Sequence, residues 1–452
     1  MSLTASQRAA AERIGQDVCV DAGPGSGKTR VLVARFAWLV RHQGVAPTRI
    51  LAITFTEKAA TEMMRRLVDE FAGEPELRRQ IERAWVSTIH SFCARLLREN
   101  ALAAGVDVEF TVLEQAESDP LLEQAAEEAL DALFAAGPHK FRELLASLAV
   151  STRGGEFQFD LAGALRSVYQ ALRVAGGDLN ALHCEPEGDP GASFRAVLQR
   201  IEELIVEPGA WETANRRSKR EKLQAWVSHA AQASTLEQML DALGDYEVNL
   251  QGLADSVRPA LKLIREKAIP EAESLLAAHL FHPLRSIIIE ALRRIDEGYR
   301  EKKRARAALD FSDLEEYALR LLEQHPQIAE SVRARFDFIL MDELQDTNPL
   351  QWRILERVRR TDRFFGVGDI NQSIYGFRHA EPELFRDYRE GLRANGRAID
   401  TLYENFRSRA EILRAAEAIA EGVFLARDLV NLPPNIATPT RMADEARRIA
   451  AT

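Results

Sequence analysis

The hydrophobic and polar positions of the first hundred residues alternate between short apolar runs and longer stretches with helical periodicity. Residues 17–23 (DVCVDAG) and 50–56 (ILAITFT) are short and apolar, which is typical of buried strands. Residues 28–43 and 57–71 repeat apolar positions every three or four residues and predict helices. Residues 85–100 predict a strand that runs directly into a helix. Strands that alternate with helices predict a parallel sheet covered by helices.

The middle of the chain has a different composition and a helical pattern of hydrophobic positions, and the strand pattern returns after it. From about residue 112 to 300 the sequence is rich in Ala, Leu, Glu and Arg and predicts a mostly helical insertion. Strand-like runs reappear at 335–346 and 363–373, and a further strand is predicted within 398–406. We therefore expect an α/β fold with a parallel sheet that a large helical insertion splits in sequence.

Composition changes this picture only by excluding some classes of protein. The chain has 452 residues, of which 46% are apolar, and this is typical of a globular protein. A net charge of −10 argues against a generally basic nucleic-acid coat, but it is compatible with a local cationic groove. Three scattered cysteines, Cys19, Cys93 and Cys184, indicate a reducing compartment. The start resembles no leader and no apolar run approaches about 18 residues, so we expect a cytoplasmic protein.

The segment AGPGSGKT (22–29) follows a predicted strand and opens a predicted helix, which is the context of a phosphate-binding loop. The backbone N–H groups of such a loop point at phosphates, Lys28 adds charge at the β and γ phosphates, and the Thr29 hydroxyl suits Mg²⁺. Ala22 stands where the pattern has its first Gly, although three glycines follow it. The alternative for the loop alone is an ordinary Gly-rich turn.

An acidic pair at the end of another apolar run is the second mark of an NTPase. The run FILM (338–341) leads directly into Asp342 and Glu343. In an NTPase, Asp342 would hold Mg²⁺ and Glu343 would orient or deprotonate the attacking water. The alternative is a solvated acidic turn, which explains poorly why a buried strand should lead into it. Taken with Lys28, the pair favours NTP hydrolysis.

Five segments carry a resemblance to a known family. They are TFTEKAATEM (54–63), STIHSF (87–92), DELQDTN (342–348), GDINQSIYGFRHAEPELF (368–385) and LYENFRS (402–408). In this order and behind a phosphate loop, they resemble motifs of the UvrD/Rep group of superfamily 1 helicases, nearest the AddA and RecB branch. The resemblance covers about residues 3–415. It implies a RecA-like P-loop NTPase domain, ATP and Mg²⁺ as cofactors, and single-stranded and duplex DNA as partners.

The resemblance assigns a nucleotide site residue by residue. It implies that Gln7 recognises the adenine edge and that Phe406 stacks on the base. It implies further that Gln345 and Gln372 lie beside the γ-phosphate, whose charge Arg407 stabilises. The implied catalytic residues are Glu343, Asp342, Lys28, Gln372 and Arg407, and the implied metal ligands are Thr29 and Asp342. The implied nucleotide-binding residues are Gln7, Ala22, Gly23, Pro24, Gly25, Ser26, Gly27, Lys28, Thr29, Arg30, Gln345 and Phe406. Without the family, Arg407 would be a surface cation.

The resemblance also implies a site for single-stranded DNA. Its residues are Phe55, Thr56, Thr88, His90, Tyr375, Phe377 and Arg378. Aromatic stacking tolerates any base, which suits a motor that steps along arbitrary DNA. For Phe55 and Phe377 the alternative is core packing, and for His90 it is a satisfied internal contact. Two basic runs, 216–222 and 300–307, either contact duplex DNA or are solvated helix faces, and the second interpretation is the commoner for such runs.

The resemblance also implies a domain plan. We expect a RecA-like motor domain in residues 1–111 and 308–394, a helical subdomain at 112–307, and the start of a second motor domain at 395–414. Residues 415–452 resemble a helical segment of the leucyl aminopeptidases without that family's metal-binding carboxylates, so we expect no peptidase activity. The alternative is an accidental likeness. This plan leaves the second motor domain incomplete, so we expect a truncated chain that is fused near the start of this tail.

The resemblance therefore implies an ATP-dependent DNA helicase or translocase that moves 3′ to 5′ on single-stranded DNA in repair and recombination. A partner subunit is implied, as in AddAB or RecBCD complexes, and we expect impaired turnover of the incomplete chain. One alternative is a non-catalytic ATP- and DNA-binding module of a repair complex, which turnover that depends on Glu343 would exclude. The other, resting on the tail alone, is an aminopeptidase fragment.

Overall fold

A parallel sheet of six strands forms the centre of one structural unit. The strands of the described residues are β1 (Val18–Ala22), β2 (Ile50–Thr54), β3 (Trp85–Thr88), β4 (Thr111–Val112), β5 (Ala308–Leu309), β6 (Phe338–Met341), β7 (Phe364–Gly368) and β8 (Ile399–Leu402). All except β4 and β5 belong to this sheet, in the spatial order β3, β2, β6, β7, β1, β8. Every neighbouring pair is parallel, so all six strands end at the same edge.

The computed structural model describes residues 3–137, 160–183, 185–373 and 380–409, together with position 139 and scattered positions from 411 to 423. The chain divides into two compact units. The sheet unit comprises Met1–Phe110 and Phe311–Thr452, and the helical unit comprises Thr111–Asp310. This division agrees with a helical segment that is inserted between two halves of a sheet domain.

The described α-helices follow the chain in this order: α1 (Ala5–Glu12), α2 (Lys28–Gln43), α3 (Glu57–Glu70), α4 (Pro75–Ile81), α5 (Ile89–Glu99), α6 (Ala101–Ala104), α7 (Gln115–Ala136), α8 (Leu161–Val174), α9 (Pro190–Ile205), α10 (Ala214–Ala230), α11 (Leu236–Gly244), α12 (Arg258–Leu263), α13 (Ile269–Leu280), α14 (His282–Arg304), α15 (Phe311–Gln324), α16 (Pro326–Arg335), α17 (Pro349–Val358) and α18 (Pro382–Ala394). A π-helical turn, Ile264–Ala268, joins α12 to α13. Helices α7 to α14 belong to the helical unit.

The core of the sheet unit is built around central strands that are buried along their whole length. Every residue of β2, β6 and β7 is buried, as expected for parallel strands that helices cover on both faces. Leu32, Phe36 and Leu39 of α2 belong to the same buried cluster as Leu340 of β6. Helix α2 ends where Gly44 takes a left-handed conformation and donates its N–H to the Leu39 carbonyl. The phosphate loop is thus followed by a helix that is fixed to the sheet.

The helical unit has its own apolar cores and an internal polar contact. Helices α7, α8 and α14 supply one buried cluster, and α9 to α13 supply another. Tyr299 and Lys303 both donate to one oxygen of Asp310, at 2.7 and 2.6 Å. Among the described residues, no single helix is long and apolar enough to cross a membrane. One bent pair, Arg258–Leu280 with His282–Arg304, meets the length and composition limits only when taken together.

The basic runs use several of their side chains inside the helical unit. In the first run Arg216 donates to the Gly252 carbonyl and Lys219 to the Asn249 carbonyl. In the second run Lys302 pairs with Glu128, and Lys303 is buried against Asp310 as above. These contacts favour an internal role for those side chains, and duplex contact by either run stays a prediction.

The predicted α/β class is confirmed, whereas the domain plan stays a prediction. The helical unit spans Thr111–Asp310, and the expected insertion spans 112–307. The plan assigns the segment 395–414 to a second motor domain, whereas β8 pairs with β1 from Cys19↔Ile399 to Ala22↔Leu402. Hydrogen bonding at the free edge of β1 therefore places this strand in the first sheet. The predicted tail, residues 415–452, lies almost wholly outside the described residues.

A core substitution in β6 tests this description of the sheet unit. Leu340 is fully buried, so Leu340→Ala leaves a cavity and should lower the free energy of unfolding by about 2 to 5 kcal/mol. Leu102→Ala is the matched control, because Leu102 is 98% exposed and its loss should change stability by less than about 0.5 kcal/mol. Urea unfolding followed by circular dichroism measures both. Equal effects of the two variants would contradict the assigned core.

Candidate nucleotide and DNA site

The sheet brings the predicted motifs together because parallel strands end at one edge. In the strand registers, Thr54 is opposite Thr88, Ile53 is opposite Met341, and Asp21 is opposite Gly368. The phosphate loop follows β1, the acidic pair follows β6, and the segment beginning at Asp369 follows β7. The segments predicted to contact DNA follow β2 and β3. Ligands of open α/β sheets bind at this edge.

The phosphate loop has the backbone that an anion site needs. Gly25 and Gly27 are left-handed, with φ of 74° and 86°, and the Ser26 N–H donates to the Gly23 carbonyl at 3.2 Å. Gly27 is the N-cap of α2 and carries no side chain to occupy the first N–H groups of the helix. Ala22, the departure from the motif, is the buried last residue of β1, so a methyl group is accommodated there. Among the other loop residues, Pro24 is exposed, and Thr29 and Arg30 are partly exposed in the first turn of α2.

Lys28 lies between the phosphate loop and the acidic pair. Its Nζ donates to Glu343 Oε2 at 2.7 Å and to Gln372 Oε1 at 3.3 Å. Glu343 itself has a left-handed backbone, with φ of 50°, which is uncommon for a residue with a side chain. Lys28, the first residue of α2, therefore joins the segment that follows β6 to the turn that follows β7.

Gln345 and Asp369 complete this hydrogen-bonded network. Gln345 is buried; its Nε2 donates to Glu343 Oε2 at 2.9 Å, and its Oε1 accepts from the Asp369 N–H at 2.9 Å. Gln372 Nε2 donates to Asp369 Oδ2 at 2.5 Å. The structure thus brings Lys28, Glu343, Gln345 and Gln372 together, and their contacts with a γ-phosphate stay a prediction. Sequence reasoning missed Asp369, although it stands at the end of an apolar run, as Asp342 does.

Burial changes the acidity of two carboxyl groups near Lys28. Burial, reinforced by the charge of Glu343 and opposed by Lys28, raises the pKa of Asp342 to about 7. Burial also raises the pKa of Asp346 to about 6. Burial therefore disfavours the Asp342 anion, and a cation at this position would stabilise it.

The residues near Asp342 suit a Mg²⁺ ion that would share its ligands with a phosphate chain, rather than one held by protein ligands alone. Within the described ranges, no group of three or more His, Cys, Asp or Glu side chains is arranged to hold a metal ion. Mg²⁺ commonly takes one or two protein ligands together with substrate phosphates and water. The buried Ser26 hydroxyl has no hydrogen-bond partner among the described residues, so the loop also retains an unused polar group.

Gln7 makes contacts that sequence reasoning did not anticipate. Its Nε2 donates to the Ser26 carbonyl at 2.9 Å, and its Oε1 accepts from the Thr4 N–H at 3.1 Å. The side chain is fully buried and completes the capping box at the start of α1. Gln7 therefore positions the phosphate loop, and adenine recognition by its amide stays a prediction.

The ENFRS segment also lies against the phosphate loop. Asn405 Nδ2 donates to the Pro24 carbonyl at 2.9 Å, and the Phe406 N–H donates to the Gly25 carbonyl at 2.8 Å. Asn405 Oδ1 accepts the Arg407 N–H at 2.9 Å. The side chains of Phe406 and Arg407 are exposed beside the loop. Sequence reasoning missed Asn405; its position in the same motif was the available signal.

The two predicted threonines at the DNA edge are helix caps. Thr56 and Thr88 accept the N–H of Ala59 and of Ser91, each at 3.1 Å, at the starts of α3 and α5. Thr88 Oγ1 also donates to Glu57 Oε1 at 2.7 Å. The geometry places both hydroxyls at adjacent strand ends, where they order the start of the two helices.

His90 makes the internal contact that was considered for it, while part of its side chain stays exposed. Its Nε2 lies 2.8 Å from Glu315 Oε1, and its ring lies 4.7 Å from the ring of Phe311, which is exposed. Phe55 is partly buried. Tyr375, Phe377 and Arg378 lie outside the described residues, so their roles stay predictions.

Comparisons with known proteins agree with this geometry. A family model described as the UvrD/REP helicase N-terminal domain matches residues 3–392. The chain is 32% identical to an ATP-dependent helicase/nuclease subunit of Exiguobacterium sibiricum, over 91% of this chain and 39% of the relative. It is 30% identical to a protein of the same name from Geobacillus thermodenitrificans, over 88% of this chain and 38% of the relative. The chain spans about two fifths of the length of these curated relatives.

Two glycines of the phosphate loop provide a matched test of the loop geometry. A Cβ at Gly25 would lie 2.6 Å from Asn405 Oδ1 and 2.8 Å from Arg407 Cβ, in a left-handed backbone. Gly25→Ala should therefore lower the free energy of unfolding by about 2 kcal/mol or more. Gly23→Ala meets no atom within 4 Å and should have a much smaller effect. Urea unfolding without nucleotide measures both; equal losses would contradict the contact of ENFRS with the loop.

The raised pKa of Asp342 predicts a pH dependence of stability. The ordinary pKa is 3.8, so above about pH 4 the unfolded chain has lost a proton that the folded protein keeps until about pH 7. The free energy of unfolding therefore falls with rising pH across this window, and Asp342→Asn removes that contribution. The free energy of unfolding of the variant minus that of the unaltered chain should therefore rise by about 2 kcal/mol from pH 5 to pH 8, in the absence of Mg²⁺ and nucleotide. Urea unfolding at several pH values measures this; parallel profiles would contradict it.

Proposed function

The chain belongs to the UvrD/REP helicase family, and from this premise we propose that it forms the ATP-binding motor part of a DNA helicase of repair and recombination. The motor would use ATP to move 3′ to 5′ along single-stranded DNA and to unwind duplex ahead of it. The observation that carries the proposal is the contact of Lys28 with Glu343 and Gln372, because it joins the phosphate loop, the acidic strand end and the turn after β7.

In this proposal each side chain of the network has a chemical task. Lys28 exchanges its contact with Glu343 for the β and γ phosphates of ATP, which frees Glu343 to orient or deprotonate the attacking water. Gln345 and Gln372 lie beside the terminal phosphate. Thr29 and Asp342 would hold Mg²⁺, which supplies charge neutralisation at the phosphates when it is bound.

The exposed side chains of ENFRS complete the proposed nucleotide site. The backbone of Phe406 is hydrogen-bonded to Gly25, so its ring projects from a fixed point beside the loop. We assign Phe406 to stacking on the base and Arg407 to the charge that develops on the transferred phosphoryl group. Gln7 is assigned to the adenine edge in addition to its contact with the loop.

The proposed DNA site lies at the ends of β2 and β3. Phe55, Thr56 and His90 follow these strands, and Thr88 is the last residue of β3. Together they supply aromatic and hydrogen-bonding groups at one edge. Tyr375, Phe377 and Arg378 are assigned to the same site from the family motif. Contacts of this kind track the backbone and stack on any base, which a motor on arbitrary sequence requires.

A partner subunit forms part of the proposal. The relatives are named as one subunit of an ATP-dependent helicase/nuclease, and we extend this association to the present chain. The family membership favours the helicase over a non-catalytic binding module. The aminopeptidase alternative rests on residues outside the described ranges, and no described contact favours it.

Two substitutions test the proposed roles of the ion pair. Lys28→Ala removes the cation that meets the phosphates, so ATP affinity should fall at least about tenfold. Glu343→Gln removes the anion that neutralises Lys28 at 2.7 Å, so ATP should bind as tightly or more tightly, whereas turnover stimulated by single-stranded DNA should fall about 100-fold. Calorimetric titration and a phosphate-release assay measure the two quantities.

Lys262→Ala and Glu323→Gln serve as matched controls, because each makes the same chemical change at a distance from the ion pair. Lys262 is exposed in the helical unit, and Glu323 pairs with Arg353 and Arg357 on the surface of the sheet unit. Neither control should alter ATP affinity or turnover. The proposal would be abandoned if Lys28→Ala left ATP affinity at the level of the controls.

A further inference from the structure

Glu315 of α15 is a buried carboxylate that the proposed reaction does not use. Its side chain is only 3% exposed, yet both oxygens accept hydrogen bonds. Oε1 receives Gln351 Nε2 at 2.7 Å and lies 2.8 Å from His90 Nε2, and Oε2 receives Asn348 Nδ2 at 2.9 Å. A buried carboxylate with three donors from two separate segments is well compensated, although an apolar side chain could fill the same space without that requirement.

The three partners of Glu315 belong to two different parts of the proposed site. Asn348 ends the DELQDTN motif and caps α17 by accepting the Gln351 N–H at 2.8 Å. His90 lies in the first turn of α5, at the edge proposed for DNA, and its ring contacts exposed Phe311. One buried carboxylate therefore touches both the segment that follows the acidic pair and a side chain of the DNA edge.

The segment between Glu343 and Asn348 is suited to respond to nucleotide. Glu343 has a left-handed backbone and is held by Lys28, which the proposed function transfers to the phosphates of ATP. A side-chain-bearing residue in this conformation costs about 1 kcal/mol or more and is held there by its surroundings. A single 3₁₀ turn, Leu344–Asp346, separates it from Thr347 and Asn348. A change at the Lys28 contact can therefore reach Glu315 through the 3₁₀ turn and Asn348.

We propose that Glu315 is a positioning residue that holds His90 and Asn348 on one carboxylate, so that the orientation of the His90 ring at the DNA edge depends on the nucleotide state of the DELQDTN segment. This inference rests on the proposed function and adds its regulation. Glu315 need not touch ATP or DNA; it sets the direction of a ring whose second nitrogen remains for another partner.

Two variants break the contact in different ways. Glu315→Gln keeps the size of the side chain but replaces one accepting oxygen by an amide NH₂ group, which can only donate, among three donors. Asn348→Ser keeps a residue that caps helices well while removing the amide donor to Glu315. Glu323→Gln is the matched control, because it makes the same change on the same helix, at a carboxylate that pairs with surface arginines. Asn348→Ser keeps the test available if Glu315→Gln folds poorly.

The first measurement follows His90 directly. The chain has nine histidines, so selective labelling gives a tractable set of imidazole signals in the full protein, and His90→Gln identifies the relevant one. Addition of AMP-PNP should move the His90 signal in the unaltered chain and in Glu323→Gln. The signal should stay in place in Glu315→Gln and in Asn348→Ser, although both still bind AMP-PNP within about twofold.

The second measurement is the effect of nucleotide on DNA affinity. The ratio of the dissociation constants of a fluorescent oligothymidylate without and with AMP-PNP should be at least about fivefold in the unaltered chain, as in a typical coupled pair of sites, and close to one in both variants. A purely structural role of Glu315 would change stability or both affinities and leave this ratio intact, which would overturn the proposal. The proposal would also be overturned if AMP-PNP did not move the His90 signal in the unaltered chain.

The outcomes separate this inference from the proposed function. If oligothymidylate does not bind but AMP-PNP still moves the His90 signal through Glu315, the positioning role stands and the DNA part of the proposed function fails. If DNA stimulates ATP turnover while Glu315→Gln and Asn348→Ser behave like Glu323→Gln, the function stands and the positioning role fails. If AMP-PNP does not bind to the unaltered chain, both fail.

Discussion

The parallel register of the six-stranded sheet is the constraint on which the site depends. Because β1, β2, β3, β6 and β7 all end at one edge, segments that are hundreds of residues apart in sequence follow neighbouring strand ends. Lys28 and Glu343, for example, are separated by 315 positions and lie 2.7 Å apart. The helical unit interrupts the chain between these strands without interrupting the sheet, since β2 and β6 pair directly across the insertion. A change of register among β6, β7 and β1 would move the phosphate loop relative to the acidic pair.

Electrostatics explain why the site is suited to a polyanionic substrate with a metal ion. One cation, Lys28, is held by Glu343, and the neighbouring Asp342 is buried strongly enough that burial raises its pKa to about 7. Phosphates that attract Lys28, and a divalent cation that stabilises the Asp342 anion, would relieve both conditions together. The buried carboxyl group of Asp342 and the left-handed backbone of Glu343 thus lie next to each other at this place.

Several polar side chains that support the site form hydrogen bonds with the backbone of neighbouring segments. Gln7 and Asn405 donate to the Ser26 and Pro24 carbonyls on two sides of the phosphate loop. Thr56 and Thr88 cap the helices that follow β2 and β3. These contacts give each residue a structural task in addition to the ligand contact implied by its motif. Loops that are ordered before binding lose less freedom on binding.

The sequence by itself determined the alternation of strands and helices and the helical insertion, and it supplied the residues of the proposed nucleotide site, because hydrophobic periodicity and short motifs are local properties. It also determined the family, since ordered motifs such as DELQDTN can be recognised in the sequence without any knowledge of contacts. Only the tertiary structure decided that β8 joins the first sheet, that Gln7 and Asn405 hold the phosphate loop, and that Glu315 connects His90 to Asn348. These contacts join residues that are distant in sequence, and a buried Glu in an amphipathic helix has the same local pattern as an exposed one.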